Sequence, residues 1–218
     1  MKFLGSAINQ VFLAIFAMVD LCFGATQLGT DIDGEAAGDI SGGSVSLSAD
    51  GTVLAIGAKY NDGNGNAAGQ VRVYEYNGAG WIQLGADIDG EASPDEFGHS
   101  VSLSVNGKTL TIGGRGNNGN GDDSGHIRIY QYDGSSWQQL GTDIDGEASL
   151  DKSGQAVSLS ADGTVVAIGA DLNDGNGNDS GHVRVYQYDG TNWQQIGTDI
   201  DGEAPGDGSG WSVSLSAD

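Results

Sequence analysis

A chain of 218 residues with 30 acidic against 8 basic side chains, net charge −22, argues against nucleic acid and anionic membrane surfaces as partners, since both need a basic patch. Its single cysteine, Cys22, rules out an internal disulfide framework. The 39 glycines, set against 2 prolines, recur at fixed intervals, so they read as turn residues and not as a flexible low-complexity tract.

In chain order, residues 1–24 come first. Lys2, an apolar run from Val11 to Val19, and small residues at Gly24 and Ala25 have the pattern of a secretory signal peptide cleaved near Gly24–Ala25. The run is shorter than the ~20 residues that a bilayer-spanning helix needs. The expectation is an exported chain, secreted or held at the cell surface, that keeps no cysteine after cleavage.

Residues 25–218 are repetitive. The block Asp-Ile-Asp-Gly-Glu-Ala begins at Asp31, Asp87, Asp143 and Asp199, and 87−31, 143−87 and 199−143 each give 56. A fixed period of this size marks a repeat architecture, in which each unit buries its apolar face only against its neighbours.

The third repeat shows one unit most plainly. Residues 156–160 alternate apolar and small polar side chains, as in a strand with one packed face. Asp162-Gly163 supplies a tight hairpin turn, and the β-branched, apolar run 164–168 suits a doubly buried strand. A polar loop over 171–181 leads to the alternating segment 182–188. Asp189-Gly190 turns the chain again, and 193–197 forms a short fourth strand. The other units match this one: 45–48, 101–104 and 213–216 repeat the first strand, 53–56 and 109–112 the second, 71–76 and 127–132 the third. Helical periodicity is absent.

Each unit is therefore predicted to be four antiparallel strands, the content of one propeller blade. The fold class is all-β, a partial β-propeller with about 56 residues per blade: three full blades and part of a fourth. Three blades cannot close a ring of ordinary geometry. Gln27-Leu28-Gly29 matches the end of a fourth strand, and Asp218 falls inside the first hairpin of a fourth repeat, so the sequence reads as C-terminally truncated.

The segment Asp95-Glu96-Phe97-Gly98-His99-Ser100-Val101, followed by Ile112-Gly113-Gly114, resembles the FG-GAP repeat, the blade unit of the integrin α-subunit propeller. The other repeats carry Ser41-Gly42 and Ser153-Gly154, with Ile56-Gly57-Ala58-Lys59 and Ile168-Gly169-Ala170-Asp171 as the second element. The resemblance covers about residues 27–218 and implies an extracellular propeller used for adhesion or ligand binding. That family's calcium loop, between the first two strands, does not carry over. The connection here is only Ala49-Asp50-Gly51, Val105-Asn106-Gly107 or Ala161-Asp162-Gly163.

Two other elements have oxygen ligands at cation spacing. The loop after the second strand holds Asp62, Asn64 and Asn66; Asn118, Asn120 and Asp122; and Asp174, Asn176 and Asn178. Oxygens at i, i+2 and i+4 begin an EF-hand, so calcium is the candidate cofactor. Against this, each triplet has one carboxylate and the distal bidentate Glu of an EF-hand is missing, and the competing reading is an Asn/Gly loop closed by side chain-to-backbone bonds. The second element is the Asp-Ile-Asp-Gly-Glu-Ala block, either an acidic rim or a solvated turn between blades.

Arg72, Arg128 and Arg184 recur once per blade and are expected to pair with a carboxylate of the same or next blade. Trp81, Trp137 and Trp193 are expected to fill the gap between blades. His126 and His182 hold equivalent positions, which suits repeat structure over catalysis. No nucleophile, histidine pair at ligand spacing or phosphate-cradling loop stands out, so no enzyme is expected. The functional expectation is an adhesion or recognition module with an extracellular protein or glycan partner. The alternatives are a structural repeat of a matrix or cell wall and, behind it, a propeller enzyme fragment.

Overall fold

The computed structural model describes residues 26–216. The signal-peptide reading of 1–24 and Cys22 lie outside the described residues. Within them no helix is long and apolar enough to cross a membrane. The elements are 15 strands in three antiparallel sheets, and no helix occurs among the described residues.

The first sheet contains β1 (Ser44–Leu47), β2 (Val53–Ala58), β3 (Gln70–Tyr76), β4 (Trp81–Gln83) and β5 (Ile88–Asp89). The second contains β6 (Phe97–Leu103), β7 (Thr109–Gly114), β8 (His126–Tyr132), β9 (Trp137–Gln139) and β10 (Ile144–Asp145). The third contains β11 (Ala156–Leu159), β12 (Val165–Ala170), β13 (His182–Tyr188), β14 (Trp193–Gln195) and β15 (Ile200–Asp201). In each sheet the first three strands pair in sequence, as consecutive hairpin-linked strands do. The protein is thus a partial β-propeller of three blades.

The outer edge differs from a single fourth strand. β3 pairs with β4 at its end (Tyr74↔Gln83 to Tyr76↔Trp81) and with β5 at its start (Gln70↔Asp89, Val71↔Ile88). Leu84 N–H still bonds the Val73 carbonyl at 2.7 Å, but Gly85 then takes φ +83° and turns the chain away before it returns as β5. A side chain at Gly85 would press on the Trp137 indole of the next blade, so the break in the strand makes room for that ring. The expected first strand of a fourth repeat, 213–216, is not in a strand. No second strand among the described residues pairs with it, and Leu215 N–H donates to Ser158 Oγ at 2.9 Å.

Side chains of cross-strand partners share a face, so each blade has two faces. One face of the first sheet (Val53, Ala55, Val71, Val73, Ile88) packs against the opposite face of the second (Val101, Leu103, Leu110, Ile112), together with Phe97. The other face of the second sheet (Ile127, Ile129, Ile144) packs in the same way on Val157, Leu159, Val166 and Ile168 of the third. Two seams are therefore the two hydrophobic cores. The first strands β1, β6 and β11 lie beside one another. Ser46 Oγ accepts from Leu103 N–H at 2.9 Å, and Ser102 Oγ accepts from Leu159 N–H at 3.0 Å.

Candidate functional site

The polar chemistry of this chain collects at one end of the blades, where β2 ends, β3 begins and β5 ends. Because Ala58 pairs with Gln70 and Gln70 with Asp89, the loop over 59–69 and the turn after Asp89 must share that rim. The seams between blades run down from it.

The seam arginines sit on the third strands. Arg128 donates through Nε and Nη2 to Asp143 Oδ1 and Oδ2 of its own blade, at 3.0 and 2.8 Å, and its Nη2 also meets Glu91 Oε1 of the preceding blade. Arg184 repeats this with Asp199, at 3.2 and 3.3 Å, and with Glu147. At the first blade Arg72 donates to the Asp33 carbonyl at 2.8 Å and lies 3.9 Å from Glu35. The cross-blade partner is thus in the preceding blade. Glu91 and Glu147 of the repeated acidic block clasp the arginine of the following blade, while Asp143 and Asp199 hold the arginine of their own.

Two residues before each of the first two of these arginines, counted from the second blade, stands a buried histidine. His126 Nδ1 lies 3.7 Å from Asp143 Oδ2, and the ring of Phe97 meets it edge-on at 5.8 Å. His182 Nδ1 lies 3.7 Å from Asp199 Oδ2 and 3.9 Å from Glu147 Oε2. Burial lowers both imidazoles below their ordinary pKa of 6.5, so they are neutral at pH 7. Burial raises the Asp143 carboxyl, but the hydrogen bonds and charge of Arg128 outweigh it and the net shift is downward. In the first blade Gln70 takes the histidine position and donates to Asp87 Oδ2 at 3.3 Å and Asp89 Oδ1 at 3.2 Å.

Trp137 and Trp193 lie at the two seams between blades, whereas Trp81 sits on the outer face of the first blade. Trp137 Nε1–H donates to the Leu84 carbonyl of the preceding blade at 2.8 Å, and Trp193 does the same to Leu140. Trp81 donates to the Leu28 carbonyl at 2.9 Å, so Leu28 relates to the first blade as Leu84 relates to the second.

A further set went unread in the sequence. Asp39, Asp95 and Asp151 are buried, and each accepts an amide hydrogen bond, at 3.1, 3.1 and 3.0 Å, from Asn61, Asn117 and Asn173. Asp95 Oδ2 also caps the N–H groups of Glu91 and Ala92. These pairs fix the rim loops to the turns beneath. Their signal is the shared 56-residue offset, visible once polar residues are compared repeat by repeat.

The candidate calcium loops are closed by their own side chains. Asp62 Oδ1 accepts from Ala67 N–H, Asn118 Oδ1 from Asp123 N–H, and Asp174 Oδ1 from Asp179 N–H, at 2.8, 2.7 and 2.8 Å. The middle residues Asn64, Asn120 and Asn176 donate to the carbonyls of Gly90, Gly146 and Gly202 at 2.9, 2.8 and 2.8 Å. Ala67, Asp123 and Asp179 adopt left-handed φ of 52°, 50° and 53°. These bonds belong to an Asn/Gly loop holding its own backbone. The third members, Asn66, Asp122 and Asn178, are exposed. A cleft of about 340 Å³ lies between Asp39, Tyr60, Asp62 and Asn66 on the first blade.

No protein-family model matches the chain, and no curated protein matches it. Solved structures that resemble it include hydrazine synthase of Kuenenia stuttgartiensis (14% identity, TM-score 0.46, covering 72% of this chain and 36% of that one). Others are a complex of KlAtg21 with the coiled-coil of AgAtg16 (12%, 0.48, 72% and 41%) and Saccharomyces cerevisiae Sqt1 (11%, 0.46, 76% and 36%). The chain spans about two fifths or less of the length of these structures.

Proposed function

We propose that this protein is an exported recognition module of FG-GAP type, binding an extracellular protein or glycan through the rim that carries the loops over 59–69, 115–125 and 171–181. One observation carries the reading: the repeated Arg and Trp side chains are used in holding blades together, while Asn66, Asp122 and Asn178 stand exposed at equivalent places on three loops fixed from below. Rigid scaffolds that hold equivalent loops side by side suit binding, and a family of near-identical sites does not suit catalysis, which needs a unique constellation.

Calcium belongs to this proposal as a rim ligand of the triplets Asp62–Asn66, Asn118–Asp122 and Asp174–Asn178, at the millimolar affinity typical of extracellular modules. The test is a glycan array and an extracellular-protein array probed with the intact chain, with and without calcium. A saturable partner lost in the triple variant N66K/D122K/N178K supports the reading. Uniformly negative arrays favour the alternative of a structural matrix repeat.

A further inference from the structure

The seams hold more than an ion pair. At the junction of the second and third blades, Glu147 of one blade meets His182 and Asp199 of the next, each offering one ligand atom within 4.8 Å of the others. Arg184 contacts Glu147 Oε1 and donates to both Asp199 oxygens, Oδ1 at 3.2 Å and Oδ2 at 3.3 Å, while Glu147 Oε2 and Asp199 Oδ2 face the imidazole at 3.9 and 3.7 Å. His182 is only 3% exposed, and its Nδ1 has no hydrogen-bond partner among the described residues. An orphaned buried nitrogen is costly to leave, and here it is aimed between two carboxylates.

We propose that Glu147, His182 and Asp199 form a zinc site that clamps the second blade to the third. Ligands on a tetrahedral Zn²⁺ with bonds near 2.0–2.1 Å lie about 3.4 Å apart, so the two imidazole-to-carboxylate spacings must close by a few tenths of an ångström and the carboxylate pair, within 4.8 Å, by up to about 1.4 Å. Glu147 supplies that movement, since its side chain is 47% exposed, and the same openness leaves the fourth position to water. The imidazole selects against calcium and magnesium, which take oxygen ligands, and favours a borderline ion such as zinc. With Arg184 present and the imidazole neutral, the two carboxylates leave the cluster one negative charge to be neutralised. None of its three ligands belongs to the rim-loop triplets, although Asn120 of the second loop holds the Glu147 carbonyl at 3.0 Å.

The seams within this chain provide the comparison. Glu91, His126 and Asp143 have the same three side-chain types at the junction before, whereas the first blade carries Gln70 in place of the histidine. Glutamine therefore fits this position, and H182Q is a substitution the fold already accommodates once.

The experiment is zinc titration of the metal-stripped full chain by calorimetry, for the wild type, H182Q and the control H99Q, with thermal unfolding alongside. The proposal expects H182Q to bind one zinc fewer than the wild type and H99Q to bind as many. Zinc should also raise the unfolding midpoint by a larger margin in the wild type than in H182Q, and excess calcium should not displace it. Equal stoichiometry and equal affinity in wild type and H182Q, or no zinc uptake by the wild type, would overturn it.

Discussion

Arg184 illustrates how single residues here act across a seam. Its guanidinium is 11% exposed and joins Asp199 of its own blade to Glu147 of the one before, so removing it strands two carboxylates in a half-buried cleft. Arg184→Met should cost about 1–3 kcal/mol in urea unfolding, less than for a fully buried pair because Glu147 is nearly half exposed. An effect below about 0.5 kcal/mol, the range of an ordinary surface substitution, would place the arginine outside the seam energetics.

The titrating residues give a pH prediction of definite sign. Burial and then the charge of Arg115 hold His99 at about 4 instead of 6.5, with Lys59 adding to this and Glu96 and Gln155 opposing it. His126 and His182 are lowered too. The unfolded chain binds more protons at each site, so this stability is complete above pH 6.5 and is lost as pH falls toward about 4. Asp143 and Asp199, lowered on balance, extend the loss below the ordinary carboxylate range. Asp171 runs the other way, since burial raises it, and this single carboxyl opposes the three histidines. The urea midpoint should therefore fall between pH 7 and pH 5, and a midpoint that stays level or rises would contradict these assignments.

At the scale of elements, neighbouring blades also meet glycine against glycine. A Cβ on Gly113 of β7 would fall inside van der Waals distance of the Gly154 carbonyl and of Ser100 Oγ, and Gly57 stands in the same relation to Gly98. Gly98 and Gly154 also take φ of 86° and 88°, which a side chain would strain. Gly113→Ala should destabilise by about 1–3 kcal/mol through overpacking, while Gly80→Ala, in open space at a turn, should stay within about 0.5 kcal/mol. Equal effects of the two substitutions would mean that the blades are not in tight contact at the glycine pair.

Much of this element pattern was legible in the sequence. The third strand 182–188 is found at its expected bounds because seven alternating residues leave no other reading, and the Asp-Gly hairpin turns follow from their own chemistry. The split of the outer strand was not legible. Ile88–Asp89 is two residues long, too short for any alternation, and Gly85 bends the chain because of a tryptophan 52 residues further on. The buried Asp39–Asn61 type of pair escaped for a related reason. Its partners lie 22 residues apart, and neither neighbourhood resembles a site. Periodicity marked Arg128 and His126 as structural, but which carboxylates they meet depends on the stacking of sheets.

For the molecule as a whole, the three blades are nearly the same sequence in different surroundings. The second blade has neighbours on both faces. On the first, Val45 and Leu47 are 60% and 53% exposed, against 9% and 8% for Val101 and Leu103. On the third, Ile200 is 59% exposed where Ile88 and Ile144 are 7%. If a blade owes its stability to contact with its neighbours, equivalent strands should differ in stability by position alone. Native-state hydrogen exchange compared at equivalent amides measures this directly. The account predicts that amides of β7 and β8 exchange slowest and those of β12 and β13 markedly faster, the equivalent amides of β2 and β3 also exceeding the central blade. Equal protection at equivalent positions in all three sheets would contradict it, because the blades would then be stable independently of one another.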